Sequence, residues 1–299
     1  MTNNTAALHP RGFAKYRRAL VCCGLLIIGL VLAATGLVSA QRDRWNRRSR
    51  YQADSRGGVP TWQNSPEVAN DVFTFVRIRY DSHGGGRGWG GGGWRTDYRD
   101  SDLNFSLRLQ QLTSLKVNPD PIVLQLTDPR LFDHPFIYIV EPGRLHFYDD
   151  EIVALRRYLL NGGFLMVDDF WGEAEYQNFR YQIKRVLPDR EPEEVPLNHE
   201  IFNCVYQLKE KPQVPSINIA VSGRSRGITW EPRYDSDTST PYYKAIKDDE
   251  GRIMVFICHN TDLGDGWERE GEHEWYFQEF SVKKAYPLGI NIVTYAMTH

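Results

Sequence analysis

Residues 162–169, Gly-Gly-Phe-Leu-Met-Val-Asp-Asp (GGFLMVDD), read as two glycines that end a helix, four consecutive apolar residues, and two acids. A short apolar run without polar alternation is the pattern of a strand covered on both faces by helices. The carboxyl ends of such parallel strands form the ligand-binding edge of an α/β sheet, so Asp168 and Asp169 mark where function sits. Upstream, residues 136–140 form a second apolar run that ends at Glu141 and is broken by Pro142 and Gly143. Between the two runs, Asp149 and Asp150 open a helix with Ile152, Leu155 and Leu159 on one face and Gly162 beyond its end. Strand, helix and strand make a βαβ unit with parallel strands. Glu141, Asp168 and Asp169 therefore leave the sheet at one edge.

Working outward, residues 72–80 (VFTFVRIRY) alternate apolar and polar side chains and predict a first strand. Asp81, Ser82 and His83 follow, then a glycine-dominated stretch with Arg87 and Trp89 that holds no regular element and carries neither a Walker lysine nor a dinucleotide spacing. Asp100 or Asp102 is placed to cap a helix over residues 103–115. A further helix is expected over 173–186, where Tyr176, Phe179, Ile183 and Val186 make an apolar stripe and Pro188 ends it. Residues 217–221 read as a strand and 223–240 as a polar loop. Residues 242–246 and 252–258 read as a hairpin whose second strand runs into His259. Pro287 opens a C-terminal helix with Leu288, Ile292 and Tyr295.

The chain has 299 residues, 41% apolar, 13% aromatic and 25% charged, which excludes disorder of the whole. Its first 40 residues carry Arg11, Lys15, Arg17 and Arg18 and no acid, leaving 32 basic against 38 acidic residues beyond them. That balance argues against a nucleic-acid partner. Ala19 opens and Ala40 closes an uncharged, mostly apolar run long enough to cross a bilayer. Val38-Ser39-Ala40 also fits a cleavage site, so residues 1–40 are read as either a signal peptide or a membrane anchor. Arg17-Arg18 resembles a twin-arginine export signal, with an ordinary basic n-region as the alternative. The globular part is expected outside the cytoplasm. Residues 41–70, with six arginines and little apolar periodicity, read as a basic linker, and 71–299 as a single domain. Cys204 and Cys258 are read either as a disulfide or as two buried free thiols.

The stretches FVRIRY, WRTDY, LFDHPFIYI, LRRYLLNGGFLMVDDF, NHEIF, HNTDLGDGW and LGINIVTYAM together resemble the domain of unknown function 4159 family, over nearly all of residues 73–298. Such proteins look like members of the class I glutamine amidotransferase-like superfamily. The resemblance implies a flavodoxin-like, three-layer α/β fold with a mostly parallel central sheet. In that superfamily a nucleophilic cysteine occupies the turn after a central strand. Here the turn is Asp168-Asp169-Phe170-Trp171-Gly172 and holds no thiol, so glutaminase chemistry is not expected.

The candidate ligand-binding residues are Asp168, Asp169, Trp171, His259, Asn260 and Asp262. Catalytic candidates are Asp168, Asp169, Glu141 and His199, since paired carboxylates can separate their acidities and a histidine can move a proton. Asp262 and Asp265 are candidate metal ligands in a glycine-containing loop that does not match an EF-hand. Each has a plain structural reading too: Asp169 capping the helix at 173, an Asx-rich turn at 260–265, a solvated His199. The leading reading is a non-catalytic binding module of the cell envelope, with no cofactor and a protein or small-molecule partner. A carboxylate-dependent hydrolase, with or without a metal, is the alternative. A carbohydrate-binding domain is the third, and it requires exposed tryptophans beside the crevice.

Overall fold

The computed structural model describes residues 56–68, 71–82 and 93–299. The apolar segment opened by Ala19, the arginines of residues 42–50, His83, Arg87 and Trp89 lie outside these residues. Among the described residues no helix is long and apolar enough to cross a membrane.

The strands are β1 (Val72–Phe73), β2 (Val76–Ile78), β3 (Asp81–Ser82), β4 (Lys116–Val117), β5 (Ile122–Leu124), β6 (Phe136–Val140), β7 (Leu145–His146), β8 (Phe164–Asp168), β9 (Glu193–Glu194), β10 (Tyr242–Lys247) and β11 (Ile253–His259). The principal helices are α1 (Asp100–Leu112), α2 (Asp149–Leu160), α3 (Gly172–Val186), α4 (Ile217–Gly223), α5 (Leu263–Glu268) and α6 (Tyr286–Thr298). A π-helical stretch, Phe277–Ala285, leads into α6. The central sheet has the order β5-β2-β6-β8-β11-β10-β9. Its first five strands run parallel, and β10 and β9 are each antiparallel to their neighbour. Counted along the chain, the five parallel strands are arranged 2-1-3-4-5.

Successive strand residues face opposite ways, and both faces are covered. Phe136, Tyr138, Val140, Phe164 and Met166 pack with Phe105 of α1, Trp267 of α5 and Leu288 of α6. Ile137, Ile139, Leu165 and Val167 pack with Leu155 and Leu159 of α2 and Phe179 and Ile183 of α3. Each such side chain, fully buried, contributes about 1.5–3 kcal/mol. The βαβ unit expected from GGFLMVDD is present, with β6 and β8 as direct parallel neighbours.

The structure differs from expectation in places. Residues 72–80 are shared among three partners: β1 pairs with β4, β2 joins the central sheet, and the chain ends in β3 against β7. Residues 217–221 are helical, in α4, because the Ile217 amide is held by Asp265 and the Ala220 amide returns to Ser216. So short a stretch, four apolar residues around Asn218, does not distinguish strand from helix. α1 stops at Leu112, where the Thr113 hydroxyl donates to Leu109 and accepts from the Leu115 amide. Neither Asp100 nor Asp102 caps it. Cys204 and Cys258 are both free, and only Cys258 is buried. Part of the basic linker lies against the domain: Arg56 donates to Asp120 and to Pro119 O, and Trp62 to Val117 O.

Asp102 is instead buried against Arg77 of β2, which donates from Nε to Asp102 Oδ2 at 2.9 Å. The same guanidinium donates through Nη2 to Ser101 at 2.9 Å and through Nη1 to Trp94 O and Thr96 O at 3.2 and 2.9 Å. Its carbon lies 5.1 Å from the Tyr138 ring centre. Burial works to lower the Arg77 pKa, but the charge and hydrogen bonds of Asp102 outweigh it, and the net shift is upward. Asp102→Ala strands this cation in the core and is expected to cost about 3–5 kcal/mol in urea unfolding. A loss below about 1 kcal/mol would show that the pair does not hold the segment.

Candidate functional site

The carboxyl edge of the sheet is where the chain gathers its acids. The loop after β2 brings Asp97, the turn after β6 brings Glu141, that after β8 brings Asp169, and that after β11 brings Asp262. All four of these segments pass through positive backbone φ at a non-glycine residue: Asp97 at 61°, Glu141 at 49°, Asp169 at 57° and Asn260 at 59°. Such conformations cost free energy and persist where surrounding contacts fix them.

Asp168, last residue of β8, faces α5 because it shares a strand face with Phe164 and Met166. Its Oδ2 accepts from the Tyr138 hydroxyl at 3.2 Å and from the Leu263 and Gly264 amides at 2.9 and 3.0 Å. Its Oδ1 is buried with no hydrogen-bond partner. Burial pushes this carboxyl up to about 7 against the pull of those amides. Asp168 thus caps a helix, but that helix is α5.

Asp169 does not cap α3. The amides of residues 171–174 go to Glu175, Asn260, Ser236 and Asp235 in turn. The left-handed turn at Asp169 carries its carboxylate away from them, and its Oδ1 accepts from the Trp171 indole at 3.1 Å. Asp97, Asp169 and Asp262 each present one oxygen within 4.8 Å of the other two. Oxygens on opposite sides of a Ca²⁺ ion are about 4.6–5.2 Å apart, so the three fit around one hard cation. Asp97 Oδ2 is enclosed and has no donor. Asp262 Oδ1 accepts from the Asp265 amide at 2.7 Å. Gly264 keeps the space between them open, since a Cβ there would stand 2.6 Å from Asp97 Oδ2 and 3.4 Å from Asp262 Oδ1.

Burial, then mutual repulsion, raises all three acids well above the ordinary carboxylate range: Glu268 and Asp265 act on Asp97, Glu141 and Asp97 on Asp169, and Asp169 and Asp97 on Asp262. Glu141 is tied by its Oε2 to the Gly93 amide at 2.6 Å, and so fixes the end of the glycine-rich segment leading to Asp97. Asp265 accepts from the Ile217 amide and pairs with Arg269 at 3.2 Å. It groups with Asp97 and Glu268 rather than with Asp169.

The remaining candidates lie apart. His259 Nε2 is 3.0 Å from Gly172 O, and its ring stacks among Phe170, Tyr176 and Tyr242. Burial pushes its pKa down to about 4, so it is neutral at pH 7. Asn260 is a brace: its Oδ1 takes the Gly172 amide and its Nδ2 donates to Thr240 O. His199 sits at the opposite edge of the sheet, beside Tyr295 and near Lys247, accepting from the Ile201 amide. It does not reach the acids. Trp171 and Trp267 are buried, which removes them as platforms for a sugar. Asp97 and Glu268 were not singled out by sequence reasoning. The signal was the WRTDY stretch, whose aspartate follows a strand end after a loop that its glycines make look purely flexible.

The chain belongs to the family described as Domain of unknown function (DUF4159), whose model matches residues 74–297. No curated protein matches the sequence.

These acids have a measurable consequence for stability. A carboxyl whose folded pKa is raised contributes stability that is full below its unfolded pKa of about 4 and is lost as pH rises through the folded value, here about 7 for Asp168 and Glu268. His259 acts oppositely, its contribution fading as pH falls from about 6.5 towards 4. Because the raised carboxyls outnumber the lowered imidazoles of His134, His199 and His259, the Tm of the chelator-treated protein is expected to fall between pH 5 and 7.5, with a shallower fall in Asp97→Asn. A Tm that stays level or rises over that window would refute the electrostatic description.

Proposed function

We propose that this chain is a non-catalytic binding module of the cell envelope that holds a hard divalent cation between Asp97, Asp169 and Asp262. The observation that carries the reading is the convergence of three carboxylates from three different loops, two on buried residues and the third on half-buried Asp97, whose enclosed Oδ2 no donor reaches among the described residues. Isolated buried charges of one sign are costly, and a divalent cation offsets them. Oxygen-only ligands favour Mg²⁺, Ca²⁺ or Mn²⁺ over softer ions.

A flavodoxin-like, class I amidotransferase-like ancestry is part of this proposal. It is supported by the 2-1-3-4-5 order of the parallel strands, which is the flavodoxin-like order. On such a sheet the turn after β8 is the nucleophile position, and here it supplies Asp169. The nearest thiol in sequence to the acidic loop, Cys258, is buried within β11. Export or membrane anchoring rests on the apolar run between Ala19 and Ala40.

The hydrolase alternative draws on the same acids, since a cation with three protein ligands keeps positions for water. Binding is preferred because the candidate proton carriers are engaged elsewhere: His259, a weak base with its lowered pKa, is hydrogen-bonded to Gly172 O and turned into an aromatic stack, and Asp168 is committed to the Leu263 and Gly264 amides. Calorimetric titration of the full-length chain with Mn²⁺, Mg²⁺ and Ca²⁺ tests the proposal. Saturable binding is expected, weakened at least tenfold by Asp169→Asn and by Gly264→Ala, whose methyl would fill the gap. Failure of any of the three ions to bind, or binding indifferent to both substitutions, would refute it.

A further inference from the structure

Asp97 belongs to two groups of acids at once. Besides Asp169 and Asp262, it lies with Asp265 and Glu268, again with one oxygen of each within 4.8 Å of the others. Asp265 and Glu268 are three residues apart on α5 and so share a helix face. Among the described residues the cation beside them is Arg269, whose Nε is 3.2 Å from Asp265 Oδ1 and 2.7 Å from Glu268 Oε2. When ionised, the five carboxylates of both groups carry five negative charges; Arg269 returns one, and Arg77, which also acts on Asp97, is matched by Asp102. The remainder equals the charge of two divalent ions, whereas a single ion leaves two charges uncompensated in a largely enclosed volume.

A second observation points to a ligand here. Asp97 Oδ2 and Glu268 Oε2 are both buried, and among the described residues neither has a hydrogen-bond partner. Solvent has a route on the α5 side, where an open cavity of about 370 Å³ is lined by Glu268, Asp100, Asn104, Glu270 and Glu272. The side chains lining the cavity are acidic or neutral, with Glu270 paired to Arg108 and Glu272 to Arg269.

From these relations we infer that Asp97 is a bridging ligand of a two-cation centre, with the second hard divalent cation held by Asp265 and Glu268. The inference rests on the first site proposed above. Paired divalent ions sharing a carboxylate are a recurrent arrangement for holding oxyanions.

Equilibrium dialysis of the full-length chain against Mn²⁺ alone, read together with the Mn²⁺ electron paramagnetic resonance spectrum, tests it. Two ions per chain are expected, with a spin-coupled signal. Glu268→Gln should leave one ion and an uncoupled signal, Asp169→Asn should likewise leave one, and Asp97→Asn should lose the coupling with both affinities reduced. One ion per chain, lost in Asp169→Asn and untouched by Glu268→Gln, overturns the second site and leaves the first standing. No bound ion overturns both. Two ions whose binding ignores Glu268→Gln overturn the placement. Glu268→Gln preserves shape, and an unchanged cooperative unfolding transition shows that its stoichiometry is read on folded protein.

Discussion

The buried Arg77 guanidinium fixes everything that happens at the carboxyl edge. It stands on β2 in the sheet interior, pairs with Asp102 of α1, and holds the carbonyls of Trp94 and Thr96. A strand, a helix and a loop are thus tied to one planar group whose donors point in fixed directions. The loop that follows the glycine-rich stretch ends rigidly for this reason, and Asp97 is presented at its last step. Glu141 secures the same loop from the neighbouring turn through the Gly93 amide.

With that loop in place, the acids meet under conditions that each disfavours. They are shielded from water, close to one another, and served by few donors. Asp168 solves its own problem by capping α5, and Asp265 and Glu268 share Arg269. Among the described residues, Asp97, Asp169 and Asp262 form no ion pair, and Asp97 feels Arg77 and Arg269 only at a distance. A structure that concentrates charge of one sign at the ligand-binding edge of a parallel sheet has the character of a site, since burial alone would favour neutral side chains at those positions.

Much of this was legible in the sequence. The apolar run of GGFLMVDD, the caps and the helix stripes gave the βαβ unit and located Asp168, Asp169 and Asp262 at one edge, because periodicity and turn residues are local signals. What was not legible depends on contacts between distant segments. Asp102 reads as a helix cap until Arg77, 25 residues away, is seen beneath it. Asp97 is hidden by glycines that suggest mobility, His199 is one candidate for the crevice until the fold places it at the far edge, and the start of α4 reads as a strand because residues 217–221 are too short to show a helical period. Trp171 reads as a candidate ligand contact because it lies in the turn after β8, yet it is buried with its indole folded back onto Asp169.

The central claim is that a cation belongs between Asp97, Asp169 and Asp262. Anomalous diffraction from crystals of the protein grown with Mn²⁺ addresses it most directly. The account predicts a peak at about 2.1–2.6 Å from one oxygen of each of these three residues. Well-ordered carboxylates surrounding no anomalous density, with Mn²⁺ found elsewhere on the surface, would contradict it.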